Sequence, residues 1–163
     1  MKAPFVLRAA EPADVDDIDA LIGELAEFEK LTHLLQVTPE KLAPQLFGPQ
    51  PAAQALVAQV DGSTVGFALY FSTFSTFLAQ PGLWLEDLYV RPAQRGLGIG
   101  TALLARLGAL AIERGCGRLE WSVLNWNERA IGVYEGIGAT VMPDWRICRV
   151  TGAQLNALAG KAR

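Results

Sequence analysis

The residues that most restrict the chemistry run Gln94-Arg95-Gly96-Leu97-Gly98-Ile99-Gly100-Thr101. Glycines at three alternate positions let a backbone turn tightly and come close to a ligand. A helical pattern begins at Gly98, with Leu103, Leu104, Leu107, Leu110 and Ala111 on one side. The free N–H groups of a helix's first turn point outward, and the macrodipole places partial positive charge there. Arg95 adds a fixed cation beside them. Such a loop suits a diphosphate. It differs from two other phosphate loops. The dinucleotide fingerprint needs GxGxxG after the first strand of a parallel unit, and the P-loop needs a Gly-Lys-Ser/Thr ending. Here the spacing is GxGxG, and several strand-like segments come first.

Those segments must position the loop. Phe5 to Arg8 predicts a short strand. Val15, Ile18, Leu21, Ile22, Leu25 and Phe28 recur at spacings of three and four, the stripe of an amphipathic helix. Thr38-Pro39-Glu40 opens a second helix, with a capping residue, a first-turn proline and an early acid, and Phe47-Gly48-Pro49 closes it. Gln54 to Val60 and Thr64 to Ser75 read as strands joined by an Asp61-Gly62 hairpin turn. Pro81-Gly82 precedes a strand from Leu83 to Val90, and Arg91-Pro92 breaks it. After the long helix, Gly115-Cys116-Gly117 forms a left-handed cap. Arg118 to Leu124 predicts a strand, Glu128 to Ile137 a helix, and Ala139 to Met142 and Trp145 to Val150 two more strands. Thr151 is placed to cap a terminal helix through Leu158. Hairpins first and a crossover helix in the middle predict one mixed sheet flanked by helices, an α/β (α+β) class rather than a doubly wound parallel sheet. With no repeat or linker, 1–163 reads as a single domain.

Composition narrows the function classes. The chain has 163 residues, 51% hydrophobic and 19% charged, too apolar for a disordered chain. A formal net charge of -3 argues against a nucleic-acid partner, which needs a basic face. The stretch from Val65 to Ala79 is interrupted by Ser72, Thr73, Ser75 and Thr76, and falls short of the roughly 20 residues of a membrane span. The start, Met1 to Arg8, lacks a signal-peptide pattern, so a cytoplasmic protein is expected. One histidine and two cysteines, without a CxxC pair, argue against a metal site.

At Gln94 to Gly100, between a strand and a helix, the sequence resembles the GNAT superfamily of N-acetyltransferases, and within it the diamine acetyltransferases of spermidine/spermine or thialysine type. The resemblance continues through Leu25-Ala26-Glu27-Phe28-Glu29, Val65 to Phe71, Leu85-Glu86-Asp87-Leu88-Tyr89-Val90, Trp126-Asn127-Glu128, Val133-Tyr134, Gly138-Ala139 and Trp145-Arg146. It implies the GNAT fold, with the sheet splayed between strands four and five, acetyl-CoA as co-substrate and a homodimer. The backbone of Leu88, Tyr89 and Val90 matches positions that hold the pantetheine arm as a pseudo-strand and stabilise an oxyanion. Arg95, Gly96, Leu97, Gly98, Ile99, Gly100 and Thr101 match the pyrophosphate loop, and Asn127, Glu128, Arg129 and Ala130 a further coenzyme A contact.

Tyr134 matches the general acid that protonates the departing thiolate, and Glu86 the carboxylate that attracts the amine and relays its proton. By the period-two rule, Asp87 is expected on the opposite face of the strand, in a secondary role. Phe28 and Glu29, with Glu120, Trp121 and Ser122, match acceptor-binding positions. The loop before Trp145 is shorter than in polyamine enzymes, with Pro143 near the place of an acid those enzymes carry and Asp144 next to it. The acceptor is therefore expected to be a primary amine of a diamine, a polyamine or a lysine-like amine such as thialysine. Two alternatives stand beside this reading: an acetyltransferase for protein lysine or N-terminal amines, and a non-catalytic coenzyme A-binding module. An acetyl-cysteine route is disfavoured, since neither Cys116 nor Cys148 sits in a motif with histidine.

Overall fold

Asp61 and Gly62 both take positive φ, 49° and 81°, the backbone of a two-residue primed turn. They join β2 (Gln54–Val60) to β3 (Ser63–Ser75), and β1 (Val6–Ala9) pairs antiparallel on the other side of β2. The structure, a computed structural model, describes residues 4–162; the first three residues of the start segment and the last residue of the domain lie outside these. One compact unit runs to Ser122 and a second begins at Val123.

In the first unit, β4 (Gln80–Val90) pairs antiparallel with β3, and β5 (Leu119–Trp121) pairs parallel with β4. The result is one mixed, mostly antiparallel sheet in the order β1-β2-β3-β4-β5. α1 (Val15–Phe28) and α2 (Pro39–Phe47) cover one face. Ile18 and Leu21 of α1 and Leu42 and Leu46 of α2 form a cluster with Val57, Phe67, Leu69 and Tyr89 of the strands. α3 (Ile99–Glu113) buries Ile99, Leu103, Leu104, Leu107 and Ala111. Each of the isoleucine and leucine side chains contributes about 1.5–3 kcal/mol on leaving water. Thr38 caps α2 as expected, its hydroxyl accepting from Lys41 N at 3.3 Å.

β1 and β3 begin within one residue of the sequence reading, while β4 and β5 depart further from it. β4 starts at Gln80, so Pro81 and Gly82 lie inside it, opposite Phe74 and Thr73. A Cβ on Gly82 would stand 2.7 Å from Thr73 Oγ1, so the missing side chain is what lets the ladder run on. The strand expected over Arg118 to Leu124 shrinks to three residues, because parallel pairing with β4 ends at Leu85 and Trp121.

The second unit holds α4 (Glu128–Gly136) and α5 (Gly152–Ala159). Asn127 caps α4, its Oδ1 accepting from Ala130 N at 3.3 Å. Thr151 stands at the start of α5 without a side-chain capping bond. The strands expected over Ala139 to Met142 and Trp145 to Val150 are not formed among the described residues, although a turn does fall at Pro143 and Asp144. Two arms of four and six residues make a hairpin that is marginal on its own. No helix of the described residues is long and apolar enough to cross a membrane.

Candidate functional site

β4 is paired along its whole length with β3, but β5 covers its other edge only from Leu83 to Leu85. From Glu86 to Val90 no strand lies on that edge among the described residues. At about 3.4 Å per residue, roughly 17 Å of backbone is open there to an extended partner. This is the splay expected between strands four and five.

A β-bulge opens the gap. Leu85 pairs with Tyr70 and Asp87 with Leu69, so Glu86 is an extra residue without a partner. A bulge resets the alternation of faces. Asp87 therefore shares Leu69's face, the one covered by α1, and is not turned away as simple alternation predicts. Glu86 leans to the same side, its Oε2 accepting from Trp84 Nε1 at 2.9 Å. Glu29, the C-cap of α1, belongs to the same group. Burial, then the negative charges of Glu86 and Glu29, push the Asp87 carboxyl up to about 6. Burial also raises Glu29. Glu120 lies opposite Trp84 but is held by Arg118 at 2.8 Å. Trp121, opposite Leu85, alternates to the other face, and Ser122 lies just past the end of the pairing.

Arg95 links this group to the glycine loop. Its guanidinium stands 5.4 Å from the Phe28 ring centroid and 5.6 Å from that of Tyr89, and its Nε donates to Val90 O at 3.0 Å. Stacking of this kind contributes about 0.5–1 kcal/mol at an exposed site. Arg91 Nη2 pairs with Glu24 at 2.9 Å, tying the end of β4 to α1. Burial, then the Glu24 carboxylate, raises the Tyr89 hydroxyl.

Beyond Arg95, Gly96 and Gly98 take φ of 86° and 82°, a conformation other residues adopt at a cost. Gly98 is the N-cap of α3 and offers no side chain to the first turn. A Cβ at Gly96, Gly98 or Gly100 would meet nothing within 4 Å. Open space thus lies beside these glycines, and the N–H groups of Ile99, Gly100 and Thr101 have no acceptor within the helix. Leu97 is exposed at the rim. These residues fit a diphosphate.

Asn127, Glu128, Arg129, Ala130 and Tyr134 belong to the second unit. Asn127 uses its side-chain oxygen on its own helix, leaving its amide nitrogen for other contacts. Glu128 and Arg129 are exposed on the first turn of α4, Ala130 is half-buried, and Tyr134 is half-buried within the same helix.

The sequence pattern of the acetyltransferase (GNAT) family matches residues 22–139, well over half the chain. The chain belongs to the GNAT acetyltransferase family. It is 37% identical to thialysine N-epsilon-acetyltransferase of Mus musculus over 95% of this chain and 97% of that one. It is 32% identical to L-ornithine N5-acetyltransferase of Arabidopsis thaliana over 93% and 86%. Among solved structures, an integron cassette protein from the mobile metagenome of V. cholerae superposes with a TM-score of 0.81 at 26% identity, covering 98% of this chain and 99% of that one.

One feature of this site escapes a reading by residue type, and a second was open to it. Asp87 joins the carboxylate group only because of the bulge, which periodicity does not reveal. The Trp84–Glu86 bond could have been found, since residues two apart share a strand face.

Proposed function

We propose that this GNAT protein moves an acetyl group from acetyl-CoA to a primary amine of a small cationic acceptor: a diamine, a polyamine or a lysine-like amine such as thialysine. The observation that carries the reading is the carboxylate group of Glu29, Glu86 and Asp87 at the unpaired edge of β4. An alkylamine is protonated near neutral pH, with a pKa of about 10, so carboxylates attract it. It must lose a proton before it can attack. Asp87, poised near 6, can hold that proton, and Glu86 at the exposed mouth can pass it to water. Phe28 supplies an apolar wall for a short methylene chain. The names of the thialysine and ornithine relatives agree with a lysine-like acceptor.

Acetyl-CoA supplies the acetyl group as an activated thioester. Gly96 to Thr101 with Arg95 would hold its diphosphate, and the free edge of Leu88, Tyr89 and Val90 its extended arm. Asn127 to Ala130 add a further coenzyme A contact in this reading. The Tyr134 hydroxyl would give a proton to the thiolate released when the amine takes the acetyl group from the thioester. A cytoplasmic location and a homodimer complete the proposal, testable by cell fractionation and by sedimentation.

Release of free thiol, followed at steady state with diamines, polyamines, thialysine, ornithine, lysine and lysine peptides, tests the assignment. Preference for a small amine supports it. Preference for peptides makes the chain a protein acetyltransferase, and acetyl-CoA binding without turnover makes it a binding module.

A further inference from the structure

The opposite face of the sheet holds a separate cavity of about 300 Å³. Gln54, Leu56 and Tyr70 of β2 and β3 form its floor. Its wall is one stripe of α3 and its C-cap, where Arg106, Leu110 and Arg114 follow at intervals of four. Arg114 Nη1 donates to Gln54 Oε1 at 2.8 Å, and its guanidinium lies 5.7 Å from the Tyr70 ring centroid. Gln54 therefore spends its acceptor on the arginine and keeps its NH₂ donors. Among the described residues the partners of Arg114 are all neutral. Arg106 pairs with Glu113 at 2.9 Å, but both side chains are about half exposed, where such a pair holds weakly.

Tyr70 supplies the second observation. It is only 4% exposed, it lines the cavity, and its ring packs against the Arg114 guanidinium. The last carbonyls of α3 are already engaged by backbone donors. Leu110 O accepts from Arg114 N, Ala111 O from Cys116 N and Ile112 O from Gly115 N. Arg8, at the β1 rim, is already held at both Nη atoms by Asp14. What faces the cavity between the leucines is therefore rich in donors and cations: the Arg114 and Arg106 guanidinium groups, the Gln54 NH₂ and the Tyr70 hydroxyl.

We propose that this cavity binds a small organic oxyanion, a carboxylate or phosphate head on a short aliphatic body. Arg114 and Arg106 would grip the head, and Tyr70 would donate to it. The volume falls at the small end of ligand sites. The proposal does not depend on the acetyl-transfer reading, because its residues lie on the face of the sheet away from Glu86 and Asp87.

Calorimetric titration of the full chain with succinate and with inorganic phosphate, at constant ionic strength set by chloride, tests it. Binding of either is expected to persist with saturating coenzyme A. It should weaken at least tenfold in Arg114→Gln and measurably in Tyr70→Phe, which keeps the ring that packs under Arg114. Arg106→Gln serves as a further variant should Arg114→Gln not fold. A response to succinate alone assigns a carboxylate ligand, and to phosphate alone a phosphate ester. Heats no different from chloride, heats unchanged in the variants, or displacement by coenzyme A would overturn the proposal.

Discussion

Glu86 and Asp87 follow one another along β4 yet face the same side of the sheet, because Asp87 pairs with Leu69, Leu85 with Tyr70, and Glu86 with nothing. Burial of the Asp87 carboxylate is the larger penalty on its charge, and repulsion from the neighbouring Glu86 adds to it. The site therefore stores unfavourable charge that a bound cation relieves.

Asp87→Asn is expected to stabilise the protein above pH 6. Folding raises the carboxyl from 3.8 to about 6, so the folded chain holds this proton more tightly than the unfolded one. The Asp87 contribution to stability is then most favourable below pH 3.8 and is lost as pH rises through about 6. The difference corresponds to roughly 2–3 kcal/mol, at 1.36 kcal/mol per unit. Denaturant melts between pH 4 and 8 should show a downward slope in the parent that flattens in the variant. Equal slopes would remove Asp87 from this role.

Glu86→Gln is expected to lower kcat/KM for amines about 10- to 100-fold at neutral pH, where the acceptor is mostly protonated. Losing a negative neighbour also lets Asp87 ionise at lower pH, so the acid limb of the rate profile should move down. A profile that keeps both height and position would leave Glu86 as an exposed strand acid bonded to Trp84.

Tyr134→Phe should cut turnover by about 10²- to 10⁴-fold, the span of a general acid, while acetyl-CoA affinity stays within twofold. Rapid-quench kinetics beside equilibrium titration separate the two quantities. Turnover unchanged by the loss of the hydroxyl would leave Tyr134 a packing residue of α4.

Much of the frame can be read from residue type. Thr38-Pro39 marks the start of α2, and Asp61-Gly62 the hairpin turn, because each signal acts within a few residues. The glycine loop is legible for the same reason: left-handed backbone at Gly96 and Gly98 calls for glycine. The bulge is not, since it depends on which β3 residue meets which β4 residue across the pairing. Nor is the short partnership of β5 with β4, since strand-like residues continue to Leu124 while the pairing stops at Trp121. Val141 and Ile147 carry strand propensity, but a ladder needs a partner as well as a preference.

Gly98→Ala is expected to weaken acetyl-CoA binding about tenfold and to cost about 1–2 kcal/mol of stability. The φ of 82° is the cause of the strain, as a Cβ there meets no neighbour. Fluorescence titration with coenzyme A and a thermal melt measure the two effects. Wild-type affinity in the variant would place the diphosphate elsewhere.

The unpaired Glu86 also has a genetic meaning. Were its codon deleted, Leu85 and Asp87 would become adjacent and could keep their partners Tyr70 and Leu69, closing an ordinary ladder. An acid at this mouth could thus be gained or lost in a single in-frame event, with the lineage's remaining β3 and β4 pairs left in place.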